Sequence, residues 1–291
     1  MINVLGEALV DLIAGRDGRT FTAHPGGSPA NVALGLARLG VPATLTTHLG
    51  DDLFGAMVRA HLEQSGVDIR ALPTRDTSLA FAATDEQGVA RYDFRVTWDA
   101  ERIPPARGFL HTGSLAALLG PAAVEAAMAA ADTVSYDPNV RPSLSGPVAQ
   151  ERERVERQVS LADMVKVSEE DLAWLYPGAD PHATARDWLD RGPRLVVVTL
   201  GANGAHAITA SSALDRPGPR TTVVDTVGAG DAFTAGLLAW LTEADLLATP
   251  AEADLPALLD FANAVAAITC ARAGANPPTR EEVGRATNPL P

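Results

Sequence analysis

The stretch Asp225-Thr226-Val227-Gly228-Ala229-Gly230-Asp231 follows the β-branched run Thr221, Thr222, Val223, Val224 and opens an apolar helical pattern. That order predicts a strand, a tight turn and a helix. Two glycines and an alanine let the backbone turn sharply, so successive N–H groups can converge on one cavity at the helix N-terminus, an anion site. Asp231 stands beside that cavity. Its carboxylate can accept a proton from a hydroxyl while the amides of Gly228, Ala229 and Gly230 hold the charge developing on a transferring phosphoryl group. The same residues also satisfy a plain turn with an Asp at a helix start, because Asp favours N-caps and Gly favours turns.

Upstream of this stretch, Arg194 to Leu200 is an apolar run read as a central parallel strand, and it feeds Gly201-Ala202-Asn203-Gly204. Met164 to Val167 predict another strand, carrying Lys166. Ser168-Glu169-Glu170-Asp171 follows, a serine start with acidic residues in the first turn. Thr133 to Tyr136 form a third strand, with Asp137-Pro138-Asn139-Val140-Arg141 at its C-terminal end, where open α/β sheets gather ligands. Arg141 offers a fixed fork for a phosphate or a substrate oxygen. Leu110 to Ser114 end a strand that bears His111, either a hydrogen-bonding structural residue or one close to substrate, and Pro121 to Ala131 form a helix. Downstream, Ala232 to Leu241 continue the helix with Phe233, Leu237, Trp240 and Leu241 on its core face. Leu255 to Arg272 form an Ala-rich helix carrying Asn263 and Cys270, ended by Gly274-Ala275-Asn276-Pro277-Pro278.

Residues 2–13 read as one buried first strand carrying Glu7 and Asp11. Asp11 either accepts hydrogen bonds from a polar ligand, as a carboxylate can from two neighbouring hydroxyls, or faces water at a strand end. No G-x-G-x-x-G follows, which counts against a nicotinamide-binding first turn. Pro25-Gly26-Gly27-Ser28-Pro29-Ala30-Asn31 leads into a helix over 32–39, Ala43 to Leu49 form a strand, and Gly50-Asp51-Asp52-Leu53-Phe54-Gly55 opens a further helix. Leu79 to Thr84 and Ala90 to Arg95, joined by Asp85-Glu86-Gln87-Gly88, predict a β-hairpin closed by Arg95 and Trp98. Two adjacent strands with no helix between them break the βαβ rhythm and place a second, smaller sheet here.

The heptad, the Gly-Gly-x-x-x-Asn turn and the Thr199-Leu200-Gly201-x-x-Gly204 loop resemble the signatures of the ribokinase-like (PfkB) carbohydrate kinases, in the family's order from Glu7 to Pro278. The segments Glu7-Ala8-Leu9-Val10-Asp11, Asp137-Pro138-Asn139-Val140-Arg141 and Lys166-Val167-Ser168-Glu169-Glu170 are most similar to fructokinase-type members. The resemblance implies a single α/β domain over 1–291, a three-layer α/β/α sandwich around a central, mostly parallel sheet. A small β-sheet lid would come from about 12–24 and 75–100. It implies Asp231 as base and Gly228, Ala229 and Gly230 as anion hole, with Asp11, Gly26, Gly27, Asn31, Arg95, His111 and Arg141 toward the sugar. Lys166, Ser168, Asp171, Thr199, Gly201, Gly204 and Asn263 would serve ATP. Mg²⁺ would be held mainly by phosphates and water, and a K⁺ site would lie at Asp225, Val227 and Gly274.

The chain of 291 residues carries 23 basic and 36 acidic residues, a formal charge of −13, which argues against a nucleic-acid surface. No apolar run reaches membrane-span length and no secretory leader pattern opens the chain, so a cytoplasmic protein is predicted, with no membrane partner. A single cysteine, Cys270, excludes an intrachain disulfide and any multi-cysteine metal site. The expected activity is ATP-dependent phosphorylation of a primary hydroxyl of a small sugar, D-fructose first. The alternatives are 2-keto-3-deoxygluconate, ribose or nucleosides, and, in another class, a non-catalytic sugar sensor. A homodimer through the lid is the expected assembly.

Overall fold

The computed structural model describes residues 1–291 except 16, 85–89, 100–102, 106 and 288–291. Among the described residues a nine-stranded sheet forms the centre. Its strands are β1 (Ile2–Leu5), β4 (Ala43–Gly50), β5 (Asp68–Thr74), β8 (Phe109–Gly113), β9 (Thr133–Asp137), β10 (Met164–Ser168), β11 (Leu195–Thr199), β12 (Ala205–Ile208) and β13 (Ala213–Arg216), in the order β13-β12-β11-β10-β9-β8-β1-β4-β5. All neighbours are parallel except the pairs β11/β12 and β12/β13. A separate four-stranded sheet, β3-β2-β6-β7, joins β2 (Leu9–Ala14), β3 (Phe21–Gly26), β6 (Ser78–Thr84) and β7 (Ala90–Arg95).

Side chains alternate across a strand, so a parallel sheet apolar on both faces needs a helix layer on each. Val165, Val167, Val196 and Val198 pack with α3 (Ser114–Leu119), α4 (Pro121–Ala130), α5 (Val148–Ser160), α6 (Glu169–Leu175) and α7 (Pro181–Leu189). Met164, Leu195 and Val197 face the other way, into α1 (Ser28–Arg38), α2 (Leu53–Glu63), α8 (Ala229–Glu243), α9 (Leu255–Cys270) and Val283 of α10 (Arg280–Thr287). This is the expected three-layer α/β/α arrangement.

Three local expectations are corrected. Residues 2–13 are two strands in two sheets: β1 ends at Leu5 and β2 begins at Leu9, after Gly6, where a side chain would overlap the ring of Pro29. The helix expected over 32–39 starts at Ser28, where Pro29 fits a first-turn position and Gly27, at φ 102°, turns the chain. The run Thr221 to Val224 forms no strand: Val223 and Val224 are exposed, and the Val224 amide donates to Cys270 O of α9 (2.8 Å) rather than to a ladder. In addition, β11 is parallel only to β10, since its other neighbour, β12, runs antiparallel. The turn 85–88 lies outside the described residues.

Candidate active site

The two-residue period of the strands decides what lies under α8. His111, Asp137, Lys166 and Thr199 share the face of Met164 and Leu195, near the C-terminal ends of four adjacent parallel strands. Above them α8 begins at Gly228, in the left-handed region (φ 75°), with no side chain capping its first turn. A side chain at Gly228 would sit 2.6 Å from Ala275 Cβ, so glycine is demanded by both conformation and space. A Cβ on Gly230 would lie 2.9 Å from Lys166 Nζ, which places that ammonium against the helix start. The Ala229 amide donates to Thr226 O (3.2 Å) within the turn.

Asp231 is the centre of the cluster. It is buried, and it joins the start of α1 to the start of α8: Ser28 Oγ donates to its Oδ1 (2.6 Å) and Asn31 Nδ2 to its Oδ2 (2.8 Å). Burial pushes its pKa up, opposed by those two bonds and by the charge of Lys166. A carboxylate has about four acceptor positions, so two accepted bonds leave room for a substrate hydroxyl.

Lys166 Nζ donates to Asp137 Oδ2 (3.0 Å), both side chains being buried. Burial works against the ammonium, yet the charges of Asp137, Asp231 and Asp171 outweigh it and hold the pKa above its usual value. Asp137 Oδ1 is buried with no hydrogen-bond partner among the described residues. Asp171 accepts from the Val140 amide (3.0 Å), and its own amide is capped by Ser168 Oγ (3.0 Å), so the expected Ser168/Asp171 pair organises the 137–141 loop. Burial and then the Asp137 charge push Asp171 up. Arg141 donates to the carbonyls of Asn139 (2.8 Å) and Val140 (3.1 Å), and its charge reaches Asp11, Asp171 and Glu7.

On the small sheet, a side chain at Gly26 would overlap the Asp11 carboxylate, and one at Gly27 would lie 2.6 Å from Glu7 O. The two glycines thus let the sheet's end close onto β2. Asp11 is pushed up to about 6 by burial, against the attraction of His24 and Arg141, and it senses the Asp231 charge. His111, wholly enclosed, lies 3.1 Å from Ser135 Oγ through Nδ1, and burial pulls it down to about 4, so it is neutral at pH 7. Glu7 accepts from the Ala116 amide (3.2 Å) and is pushed up to about 7 by burial.

Gly204 and Asn263 meet at the other end. A side chain at Gly204 would overlap Arg216 O, to which Asn263 Nδ2 donates (3.3 Å). Thr199 Oγ1 donates to Val167 O (3.4 Å), and Gly201 lies beside Glu169. Asp225 accepts from the amides of Val227 (3.0 Å) and Gly274 (2.8 Å), tying the heptad to the chain after α9.

Arg95 is not brought to this cluster. It pairs with Leu79, which pairs with Val10, so its row faces away from the row of Asp11, Ala80 and Phe94, and its guanidinium is exposed and held by Asp93 (2.6 Å). Two participants were not foreseen as site residues. Ser28 was signalled only by lying inside the Gly-Gly-x-x-x-Asn turn, and Asp137 by heading the segment chosen for Arg141.

The pattern of the pfkB family carbohydrate kinases matches residues 1–282. A fructokinase of Rhizobium leguminosarum bv. trifolii is 36% identical over 267 residues, which cover 85% of this chain and 81% of that protein. The crystal structure of a fructokinase with bound ATP from Xylella fastidiosa superposes with a TM-score of 0.82 at 30% identity, over 97% of this chain and 96% of that one. A fructokinase double mutant from Vibrio cholerae O395, in a fructose, ADP and potassium ion bound form, gives 0.80 at 31% identity, over 94% and 93%.

Proposed function

Because the chain belongs to the pfkB family of carbohydrate kinases, we propose that it transfers the γ-phosphoryl group of ATP to a primary hydroxyl of D-fructose. The observation that carries this reading is the Asp231 carboxylate, buried at the uncapped start of α8, oriented by Ser28 and Asn31 and set near the Lys166 ammonium. Fructokinases among the relatives, one with ATP and one with fructose and ADP, support the two substrates.

Asp231 takes the hydroxyl proton as the sugar oxygen attacks the γ-phosphorus and the bond to the bridging oxygen of ADP breaks. The amides of Gly228 and Gly230, and that of Ala229 once it leaves Thr226 O, stabilise the equatorial oxygens together with Lys166. Asp11, Asn31 and the backbone at Gly26 and Gly27 hold the sugar, with neutral His111 as a donor or acceptor and Arg141 beside them. Gly201, Gly204, Thr199 and Asn263 line the nucleotide's path. The oxygen-only set of Asp137 and Asp171 fits a hydrated Mg²⁺, since Asp137 Oδ1 is buried and unpartnered. Bound there with the nucleotide, the ion supplies neutralisation of phosphate charge. A K⁺ ion would be held by backbone of the two loops that Asp225 joins at Val227 and Gly274, where it would order the start of α8. The four-stranded sheet is the lid that excludes water.

Side-by-side kcat/KM values with ATP for fructose, ribose and 2-keto-3-deoxygluconate test the substrate. Fructose is expected to lead by at least ~10-fold, the discrimination that one or two placed hydrogen bonds supply. A lead for the keto acid would overturn the assignment.

A further inference from the structure

Three ligating side chains converge on elements that carry none of the residues assigned to the sugar or the transferring phosphate. His206 of β12 and Asp215 of β13 are directly opposite in the edge hairpin, and His182 leans over them from the first turn of α7. His206 Nδ1 and His182 Nε2 each lie 2.9 Å from the same carboxylate oxygen, Asp215 Oδ1. The two imidazoles meet edge to face, with ring centroids 4.2 Å apart. One ligand atom from each of the three residues falls within 4.8 Å of the others, the single such grouping among the described residues.

We propose that His182, His206 and Asp215 form a divalent transition-metal site, with Zn²⁺ the ion that fits best. In a tetrahedral centre with bonds of about 2.0 Å the ligand atoms stand about 3.3 Å apart, so the two N···O pairs have to open by only a few tenths of an ångström. Two imidazoles and one carboxylate suit zinc, copper or nickel, whereas Mg²⁺ and Ca²⁺ prefer oxygen throughout. The other nitrogen of His182, Nδ1, lies 3.5 Å from Asp180 Oδ1, the outer carboxylate that commonly orients a metal-binding histidine. Asp180 is itself fixed as the N-cap of α7, accepting from the Ala183 amide (3.1 Å). Entry is open, because the side chains of His182 and Asp215 are 41% and 64% exposed, and water can take the fourth position. The buried His206 supplies the rigid member. An ion here would fasten α7 to the β12–β13 hairpin.

The test uses the full chain, freed of metal with a chelator and titrated with ZnCl₂ in a calorimeter without nucleotide. One saturable site per chain is expected, weakened at least tenfold in both His182→Ala and Asp215→Asn. Circular dichroism confirms that these partly exposed replacements leave the fold intact. Loading with Co²⁺ gives an independent readout: intense visible bands of a four-coordinate centre with nitrogen ligands are expected. Absence of saturable Zn²⁺ uptake, uptake unchanged in either variant, or the weak spectrum of six-coordinate, oxygen-bound Co²⁺ would each overturn the site. None of these outcomes bears on sugar phosphorylation.

Discussion

A carboxylate has to be ionised before it can take a proton, and burial raises the pH at which Asp231 ionises. The rate therefore falls as acid protonates Asp231, and the acidic limb of kcat/KM lies above the ordinary carboxylate value of about 4. Asp231→Asn keeps the shape and removes the base; kcat is expected to drop ~10² to 10⁴-fold and the acidic limb to vanish from what remains. Unchanged turnover in that variant would defeat the proposed role. Glu7 tests burial through stability instead. Its pKa is raised from 4.5 to about 7, so native Glu7 stays protonated where the unfolded chain has already ionised. The stabilisation is complete below about 4.5, declines as the pH rises, and is gone once the pH has passed about 7, on the order of 3 kcal/mol in all. Urea melts at pH 5 and pH 8 should show wild type losing more stability than Glu7→Gln, which cannot ionise. At this scale Asp231 and the glycines were legible because they are contiguous, whereas the Ser28 hydroxyl acts on a residue 203 positions away. Asp11 had two readings in the sequence, and only the folded chain brings its carboxylate within reach of the Asp231 and Arg141 charges.

The start of α8 joins helix propensity to chemistry, and glycine sets the two against each other. At Gly230 the chain is already helical, so Ala would by itself favour the helix by roughly 0.5–1 kcal/mol. Its methyl would stand 2.9 Å from Lys166 Nζ, the far end of a flexible side chain, which can shift by a few tenths of an ångström and keep Asp137 but loses its place at the helix start. Gly230→Ala is thus expected to melt at or slightly above the wild-type temperature while turnover falls by at least ~10-fold, since removing one charge-stabilising group of this kind typically costs more than that. A variant that loses stability and activity together would show the glycine to be needed for packing instead. The helices were legible from apolar period and stops, α8 most of all. The strands were less so, because alternation shows that a segment is extended without showing its partner. That is why 2–13 concealed a change of sheet after Leu5, and why Thr221 to Val224, although β-branched, found no neighbour.

For the whole molecule, the two sheets divide the work. The nine-stranded sheet carries His111, Asp137 and Lys166, and the four-stranded sheet brings Asp11 within reach of the Asp231 and Arg141 charges. The doubly covered parallel sheet could be read from apolar runs alternating with helical patterns. The strand order could not, because it depends on contacts across the chain. The small sheet leaves β3 and β7 as open edges and exposes Ile13 and Phe21 by 45% and 49%, with Phe21 edge-on to Phe81 (centroids 6.0 Å apart). We propose that these apolar side chains beside unpaired edges are buried by a second copy of the chain, as a homodimer through this sheet. Each copy carries −13, so charge opposes association and apolar burial has to drive it. Salt screens the first and not the second. Sedimentation equilibrium should accordingly give about twice the 30.3 kDa of one chain, with the dimer tightening as NaCl rises, the reverse of an interface held by ion pairs. Phe21→Glu should return the single-chain mass at low salt. A single-chain mass for wild type at micromolar concentration in high salt would remove the dimer and leave each lid to close unaided.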